Sequence, residues 1–382
     1  MKKKVFTSLG LMTGTSMDGV DLSIVKSDGY DEFTPILDEF FEFNVGLQNK
    51  LIDLRTKINI FDDLKKYSIE INEIEKEFTL FHVESINKSL KEKNLNIDLV
   101  GFHGQTIFHN PKKKISFQLG NGKFLSQMIR NIVINNFRAN DLENNGQGAP
   151  LTPIFHQLIS NLIFKKYKIQ FPVNIINIGG ITNITQIISN DKSKFENINA
   201  FDIGPGNCLI DEWIRKNSNK SFDKNGEIAK SGKVNELILN QAIDNFSKSS
   251  YKESLDVKDY DTSFVKGLSL EDGSATLTKF SAYLIAKGIE YIDHSNNSFS
   301  KKNLICGGGR KNITLVKNIN EFLTDGQLHL ENIDDYGMKG DFIESQSFAY
   351  IAIRSYLNLP ISFPSTTGCM LPSTGGTLNE NF

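Results

Sequence analysis

Cysteine is scarce in this chain: three in 382 residues, Cys208, Cys306 and Cys369. They lie far apart, no CxxC spacing occurs and no Cys/His cluster has zinc spacing. That argues against a disulfide framework or structural zinc and favours reduced thiols in the cytoplasm. The six histidines lack ligand spacing and give no metal signal. Charge of one sign is missing too. Lys plus Arg number 43 against 45 Asp plus Glu, a formal net charge of -2. That excludes the global basic field that draws in nucleic acid or anionic lipid. No apolar run approaches the ~18 residues of a membrane helix. The opening Met1-Lys2-Lys3-Lys4 and Val5-Phe6 resemble a signal peptide's start. Thr7, Ser8 and Gly10 dilute an apolar stretch that would need about 7–15 residues, so a first strand is expected instead. The GK[ST] ending of a Walker P-loop is absent, and no Ser-His-Asp order or nucleophile elbow stands out.

What the chain does have is a hydrophobic fraction of 39%, enough for a sizeable core, and a length that allows two domains. It also has three glycine-rich turns, each after a short apolar run: Thr13-Gly14-Thr15-Ser16-Met17-Asp18-Gly19, Phe201-Asp202-Ile203-Gly204-Pro205-Gly206-Asn207, and Cys306-Gly307-Gly308-Gly309-Arg310-Lys311-Asn312. Glycine lets backbone N–H groups approach an anion closely. Three such turns, two of them with an aspartate, point to a nucleotide clamped between two domains.

Alternation of Val20, Leu22 and Ile24 with polar neighbours marks a strand, so residues 5–12 and 20–26 read as two strands around the first turn. A strand-to-strand turn argues against both a P-loop and a Rossmann fingerprint. Leu64, Tyr67, Ile71, Ile74, Phe78 and Phe81 recur at helical spacing and predict a helix over 61–93. Residues 97–106 read as a strand ending in a polar turn at 101–106; another strand is expected near 132–138, and helices near 152–165, from 209–214, and over 273–294, 313–322 and 342–357. Residues 173–188 repeat the opening pattern of strand, Gly/Thr turn, strand, a faint internal duplication.

Several residues carry usable chemistry. Thr15 and Ser16 offer hydroxyls beside the first turn's amides. Asp18 would be repelled by phosphate, but it could hold Mg²⁺ through water, an ion that keeps much of its hydration shell. An Asp-Gly pair is equally the residue choice of a plain turn. Asp202 closes a strand beside a glycine turn, placed to accept a proton from an attacking oxygen; a structural turn cap is the alternative. The third turn could take a flat adenosine, with Arg310, Lys311 and Asn312 lining the pocket, or could simply lead into a helix. The polar, flexible stretch around His103 could face a cleft, and His109 lies close by in sequence.

Together these segments resemble the anhydro-N-acetylmuramic acid kinases of the sugar kinase/heat-shock-protein-70/actin superfamily. The resemblance is carried by Gly10 to Asp21, Gly101 to Thr106, Asn136-Phe137-Arg138, Gly146 to Leu151, Asn177 to Asn183, the turn at Asp202, Cys306 to Asn312 and Gly340 to Gln346. It implies an α/β fold of two ribonuclease-H-like lobes, with mixed sheets flanked by helices and ATP in the interdomain cleft. The first lobe would be 1–135, rejoined by a tail 360–382, and the second 136–359; lobe closure would gate the reaction. It implies an ATP- and Mg²⁺-dependent kinase of peptidoglycan recycling, cytoplasmic and homodimeric. Such a kinase converts 1,6-anhydro-N-acetylmuramic acid plus water to N-acetylmuramic acid 6-phosphate. Asp202 would activate the water. Gly14, Thr15, Ser16, Met17, Asp18, Gly19, Val20, Asp21, Gly204, Gly206, Asn207, Gly307, Gly308, Gly309 and Asn312 would bind the nucleotide, with Asp18 on the metal. His103, Gln105, Arg138 and Glu344 would bind the sugar. Arg138 suits the lactyl carboxylate by its fork geometry. Three departures stand out: Ile203 where the family has Thr, Asn145 where it has Gly, and an atypical stretch at 251–261. Two rivals stay open: another sugar or carboxylate kinase of the superfamily, and a non-catalytic actin-like scaffold.

Overall fold

The computed structural model describes residues 3–191, 195–246, 251, 253–295, 299–323 and 329–382. By contacts the chain divides into two compact units: Met1–Leu158 with Phe342–Phe382, and Ile159–Asp341.

The first unit holds strands β1 (Phe6–Met12), β2 (Gly19–Ser27), β3 (Phe33–Glu42), β4 (Leu99–Phe102), β5 (Gln105–Asn110), β6 (Ile115–Leu119) and β7 (Ile132–Asn135). β3-β2-β1 form an antiparallel meander, β4 and β7 add in parallel beside β1, and the strand Thr377–Asn379 closes the edge antiparallel to β7. β5 and β6 form a separate two-stranded ribbon. The second unit holds β8 (Val173–Ile178), β9 (Ile181–Ile187), β10 (Ile198–Pro205), β11 (Lys302–Cys306) and β12 (Leu330–Asn332). Its order is β10-β9-β8-β11-β12, again an antiparallel meander with two parallel additions beside its first strand. Both sheets therefore have the ribonuclease-H-like order. The duplication read from two hairpins extends to five strands in each unit.

Side-chain alternation on β1 explains how the first unit packs. Leu9 and Leu11 are fully buried in one cluster with Leu47, Leu51 and Phe78, each such side chain contributing about 1.5–3 kcal/mol. On the other face stands Gly10, in register with Gly101 of β4. A Cβ on Gly10 would lie 2.0 Å from the Ser345 carbonyl oxygen, and one on Gly101 2.2 Å from that of Phe348. The backbone of the helix Ile343–Tyr356 thus rests directly on the sheet. In the second unit the helix Leu270–Ser295 covers the sheet through Ile285, Ile289 and Ile292, which meet Ile176, Ile178, Ile184 and Ile203.

Four expectations change. The first unit is larger than 1–135 with 360–382. Residues after β7 stay with it through long-range bonds: Asn140 Nδ2 donates to the Thr374 carbonyl at 2.7 Å and Gln147 N–H to that of Thr367 at 2.8 Å. The helix Ile343–Tyr356 belongs to it as well, because it packs on β1 and β4. The helix expected over 61–93 breaks at Tyr67 (φ -101°, ψ 20°) into Phe61–Lys66 and Ser68–Lys93. Only one residue leaves helical angles, so the apolar spacing runs on across the break. The strand expected over 132–138 stops at Asn135 because Asn136 takes φ 55°. Gln105 and Thr106 start β5 rather than a turn. Among the described residues no helix is long and apolar enough to cross a membrane.

Candidate active site

The first turn joins β1 to β2 and is pinned from below. Met17 takes φ 54°, is buried in the core, and donates its N–H to the Gly14 carbonyl at 3.2 Å. The Asp18 carbonyl accepts from Phe43 N–H at 2.9 Å. Gly19 is needed for strand contact: a Cβ there would lie 2.3 Å from the Phe41 carbonyl. Val20 is core and Asp21 sits opposite Met12. Thr15, Ser16 and Asp18 are exposed, and Ser16 Oγ donates to Asp18 Oδ1 at 2.6 Å. Above Gly14 a Cβ would find only Ser16 Oγ, at 3.7 Å. Thr13, not singled out from the sequence, is buried with an unpartnered Oγ1. Gly14, Thr15, Ser16 and Asp18 therefore face outward, while Met17, Gly19 and Val20 anchor them.

Two sugar-side candidates meet at the end of β4. His103 is buried; its Nδ1 donates to the Gly104 carbonyl at 2.7 Å, which leaves Nε2 as acceptor. Arg138 Nη2 and Nε donate to that Nε2 at 3.0 and 3.4 Å, and Nη1 donates to the Gly148 carbonyl at 3.0 Å. Burial, reinforced by the Arg138 charge, lowers the His103 pKa to about 3, so the ring is neutral at pH 7. Gln105 is buried with Oε1 unpartnered. Glu344 stands in the first turn of the Ile343–Tyr356 helix, which the dipole favours. That turn is tied to the sheet by Ser345 Oγ on Ser23 Oγ (2.7 Å) and by Gln346 Nε2 donating to Asp38 Oδ1 (2.9 Å). Asn145 has φ 64°, a left-handed position that glycine or asparagine fills; the departure from glycine keeps the loop's geometry.

In the second unit Asp202 lies on β10, where the register with β9 shifts between Asp202 and Gly204. Such a bulge re-aims a side chain. Asp202 is 7% exposed and its Oδ2 accepts from Leu255 N–H at 2.9 Å. Leu255 belongs to the atypical 251–261 stretch, of which Lys252 lies outside the described residues. Tyr260, from the same stretch, has its hydroxyl 3.9 Å from where a Gly204 Cβ would stand. Burial, with Cys208, Asp259 and Asp202 nearby, pushes its phenol well above the ordinary range. Neither Leu255 nor Tyr260 was legible as a partner of Asp202, because the contacts span more than fifty residues. Thr182 Oγ1 and Asn183 Oδ1, on β9 opposite Gly204 and Asp202, are buried without partners. Ile203 is buried against the Leu270–Ser295 helix. Its departure from threonine falls on the core side.

The amides of the second turn already have partners. Gly206 and Cys208 N–H donate to the Gly180 carbonyl at 2.8 and 3.2 Å, and Asn207 N–H to that of Gly179 at 2.9 Å. These bonds clamp the turn to the β8–β9 hairpin. In the third turn Gly307 takes φ 77°, and a Cβ there would meet Asn177 Oδ1 at 2.3 Å; a Cβ on Gly309 would meet Ile178 Cγ2 at 2.2 Å. Gly308 alone has nothing within 4 Å. Asn312 caps the helix Ile313–Phe322, its Oδ1 accepting from Leu315 N–H at 3.0 Å. Arg310 is buried and held elsewhere, donating to Asp334 Oδ2 at 2.9 Å, to Asp341 Oδ1 at 2.6 Å and to the Gly307 carbonyl at 3.0 Å. It braces the turn rather than lining a pocket. Burial works against the charge of Asp341, but Arg310 and Lys311 outweigh it and hold the carboxyl below its usual range. Among the described residues no group of three or more His, Cys, Asp or Glu could hold a metal.

Each unit carries a ribonuclease-H-like sheet, and the relatives of the chain make it a carbohydrate kinase. The chain belongs to the anhydro-N-acetylmuramic acid kinase family, whose sequence model matches residues 6–380. The anhydro-N-acetylmuramic acid kinase of Pelagibacter ubique (strain HTCC1062) is 50% identical, with 100% of both chains covered. That of Rhizobium etli is 34% identical over 98% of each chain, and that of Agrobacterium fabrum 32% identical over 98% of this chain and 99% of the other. Among solved structures, the activator of the 2-hydroxyisocaproyl-CoA dehydratase from Clostridium difficile, with bound ADPNP, is 12% identical. It covers 91% of this chain and 94% of its own, with a TM-score of 0.43, too loose a likeness to add to the topology above.

Proposed function

We propose that this chain transfers the γ-phosphoryl group of ATP to O6 of 1,6-anhydro-N-acetylmuramic acid while water adds at C1. The anhydro bridge opens and N-acetylmuramic acid 6-phosphate forms for cell-wall recycling. The observation that carries this reading is the family match across residues 6–380.

The residues present fit a nucleotide and its metal. Space is open above Gly14 and Gly308, and Thr13 Oγ1 awaits a partner. The exposed Asp18 suits Mg²⁺, which needs one or two carboxylates alongside phosphates and waters. Bound MgATP supplies the transferable group and the positive charge that offsets its oxygens. Asp18 would hold the metal through water, with Ser16 fixing the carboxylate's orientation. Asp202 takes a proton from the water that attacks C1, and the freed O6 then accepts the phosphoryl group. The Leu255 amide fixes the Asp202 carboxylate for that role. Glu344 and Gln105 hold sugar polar groups, and Arg138, with His103 behind it, holds the lactyl carboxylate.

The test is one incubation with MgATP and the anhydro sugar in ¹⁸O-labelled water, followed by mass spectrometry. A 6-phosphate labelled at C1 supports both halves of the reaction; phosphorylation without C1 label sinks the coupled mechanism. Asp202→Asn should bind ATP normally and lose about 10²–10⁴ in turnover. Unchanged turnover would remove Asp202 as the base.

A further inference from the structure

The loop Gly146-Gln147-Gly148 has all three of its amides in use. Gly146 N–H donates to the Asp141 carbonyl at 2.8 Å, Gln147 N–H to the Thr367 carbonyl at 2.8 Å, and Gly148 N–H to Asp141 Oδ2 at 2.7 Å. Asp141 is 1% exposed, and its second oxygen, Oδ1, accepts from Thr367 Oγ1 at 2.6 Å. Gly146 must lack a side chain here, because a Cβ would lie 2.1 Å from Asp141 Oδ2. Gly148 is thus held at its N–H by Asp141, while its carbonyl, on the far side of the Cα, receives Arg138 Nη1 at 3.0 Å. His103 Nε2 takes the other edge of the same guanidinium at 3.0 Å.

We infer that Asp141 is a positioning residue for sugar binding: it fixes the Gly148 carbonyl that, together with His103, sets the angle of the Arg138 guanidinium. Thr367 is the outer anchor of the same chain of bonds. A buried carboxylate is costly unless it is hydrogen-bonded, and this one is met by one amide of the loop and, from the tail, by the Thr367 hydroxyl and the Cys369 thiol. Forked recognition of a carboxylate depends on the plane of the guanidinium, so a slack Gly148 weakens the grip without touching the nucleotide. The inference rests on the reading of Arg138 as partner of the sugar's carboxylate.

The test compares two sugars, 1,6-anhydro-N-acetylmuramic acid and the same anhydro sugar without its lactyl group. Asp141→Ala should raise the KM for the acid sugar about tenfold, leave the KM for ATP unchanged, and barely alter binding of the sugar without the acid. Asp141→Asn should rescue, since its Oδ1 can take the Gly148 N–H while the Thr367 hydroxyl turns to accept. If Asp141→Ala does not fold, Thr367→Val carries the test, with a smaller rise of the same selectivity. Added to Arg138→Ala, either change should cost no further sugar affinity, because both act through one group. Full additivity with Arg138→Ala, or an equal KM rise on both sugars where Arg138→Ala itself discriminates between them, overturns the inference. Should Arg138→Ala weaken both sugars equally, the carboxylate reading fails. Non-additivity then still upholds Asp141 as the support of Arg138, and additivity still removes it.

Discussion

The two units share a strand order and make close contact between helix and sheet by opposite means. In the first, glycine is on the sheet: Gly10 and Gly101 leave the backbone of the Ile343–Tyr356 helix against the strands. In the second, glycine is on the helix: Gly288 makes room for Ile203, whose Cγ2 lies 2.5 Å from where a Gly288 Cβ would stand. Backbone against backbone permits little adjustment, whereas a side chain can change rotamer or be trimmed. The rigid version occurs where the helix carries Glu344 in its first turn, so the sheet itself fixes that carboxylate's height. The yielding version occurs where Ile203 only fills core.

Gly10→Val tests the rigid contact and should have the largest effect, a loss of about 3 kcal/mol or more in chemical unfolding. No single trimming of a neighbouring side chain should restore it. A variant of full stability would mean that the helix slides freely.

Acid should separate the units next. His82, His103 and His156 are all buried in the first unit, where burial lowers their pKa values to about 4, 3 and 3. The unfolded chain takes up these protons near pH 6.5, so their contribution is full above that pH and is lost as pH falls toward 4 and 3. His82, caged by Phe78 and Phe102, alone accounts for roughly 3 kcal/mol of the loss. In the second unit burial raises the Asp293 carboxyl pKa despite its bonds to Asn174 and Ser300. That folded group takes its proton earlier than the unfolded one, so falling pH stabilises it. Hydrogen exchange of first-unit peptides should accelerate below pH 6 before the fluorescence of Trp213, the single tryptophan, changes in the second. His82→Phe should flatten the difference, and simultaneous loss at both reporters would break the comparison.

Gly288→Ala should cost about 1–3 kcal/mol, and Ile203→Val should recover part of it in thermal melts. Absence of any rescue would make the second contact as rigid as the first. The smallest effect belongs to Ile203→Thr. It should lower stability by about 1–2 kcal/mol through a buried hydroxyl and leave turnover per folded molecule unchanged. A faster enzyme would mean that the hydroxyl acts at the site rather than in the core.

Legibility followed range. The β1–β2 and β8–β9 hairpins and the Leu270–Ser295 helix were readable because alternation and helical spacing are local signals. The outward residues of the first turn and the meeting of His103 with Arg138 arose from segments already singled out. Arg310 was misplaced as pocket lining because Asp334 and Asp341, which take its guanidinium, lie two dozen residues or more along the chain. Asp141 was passed over for the same reason: Thr367 is 226 positions away. The unit boundary escaped because the bonds holding 136–158 to the tail follow no periodicity.

The first unit is written in two instalments, with the whole of Ile159–Asp341 between them. A ribosome therefore completes the second unit while the first still lacks the helix that covers Gly10 and Gly101 and the strand that closes β7. The nascent chain must carry an uncovered sheet until residues from 342 onward emerge, and Glu344 arrives with that late cover. A product stalled or clipped before residue 342 should therefore be a folding client, with the sheet of its first unit left bare.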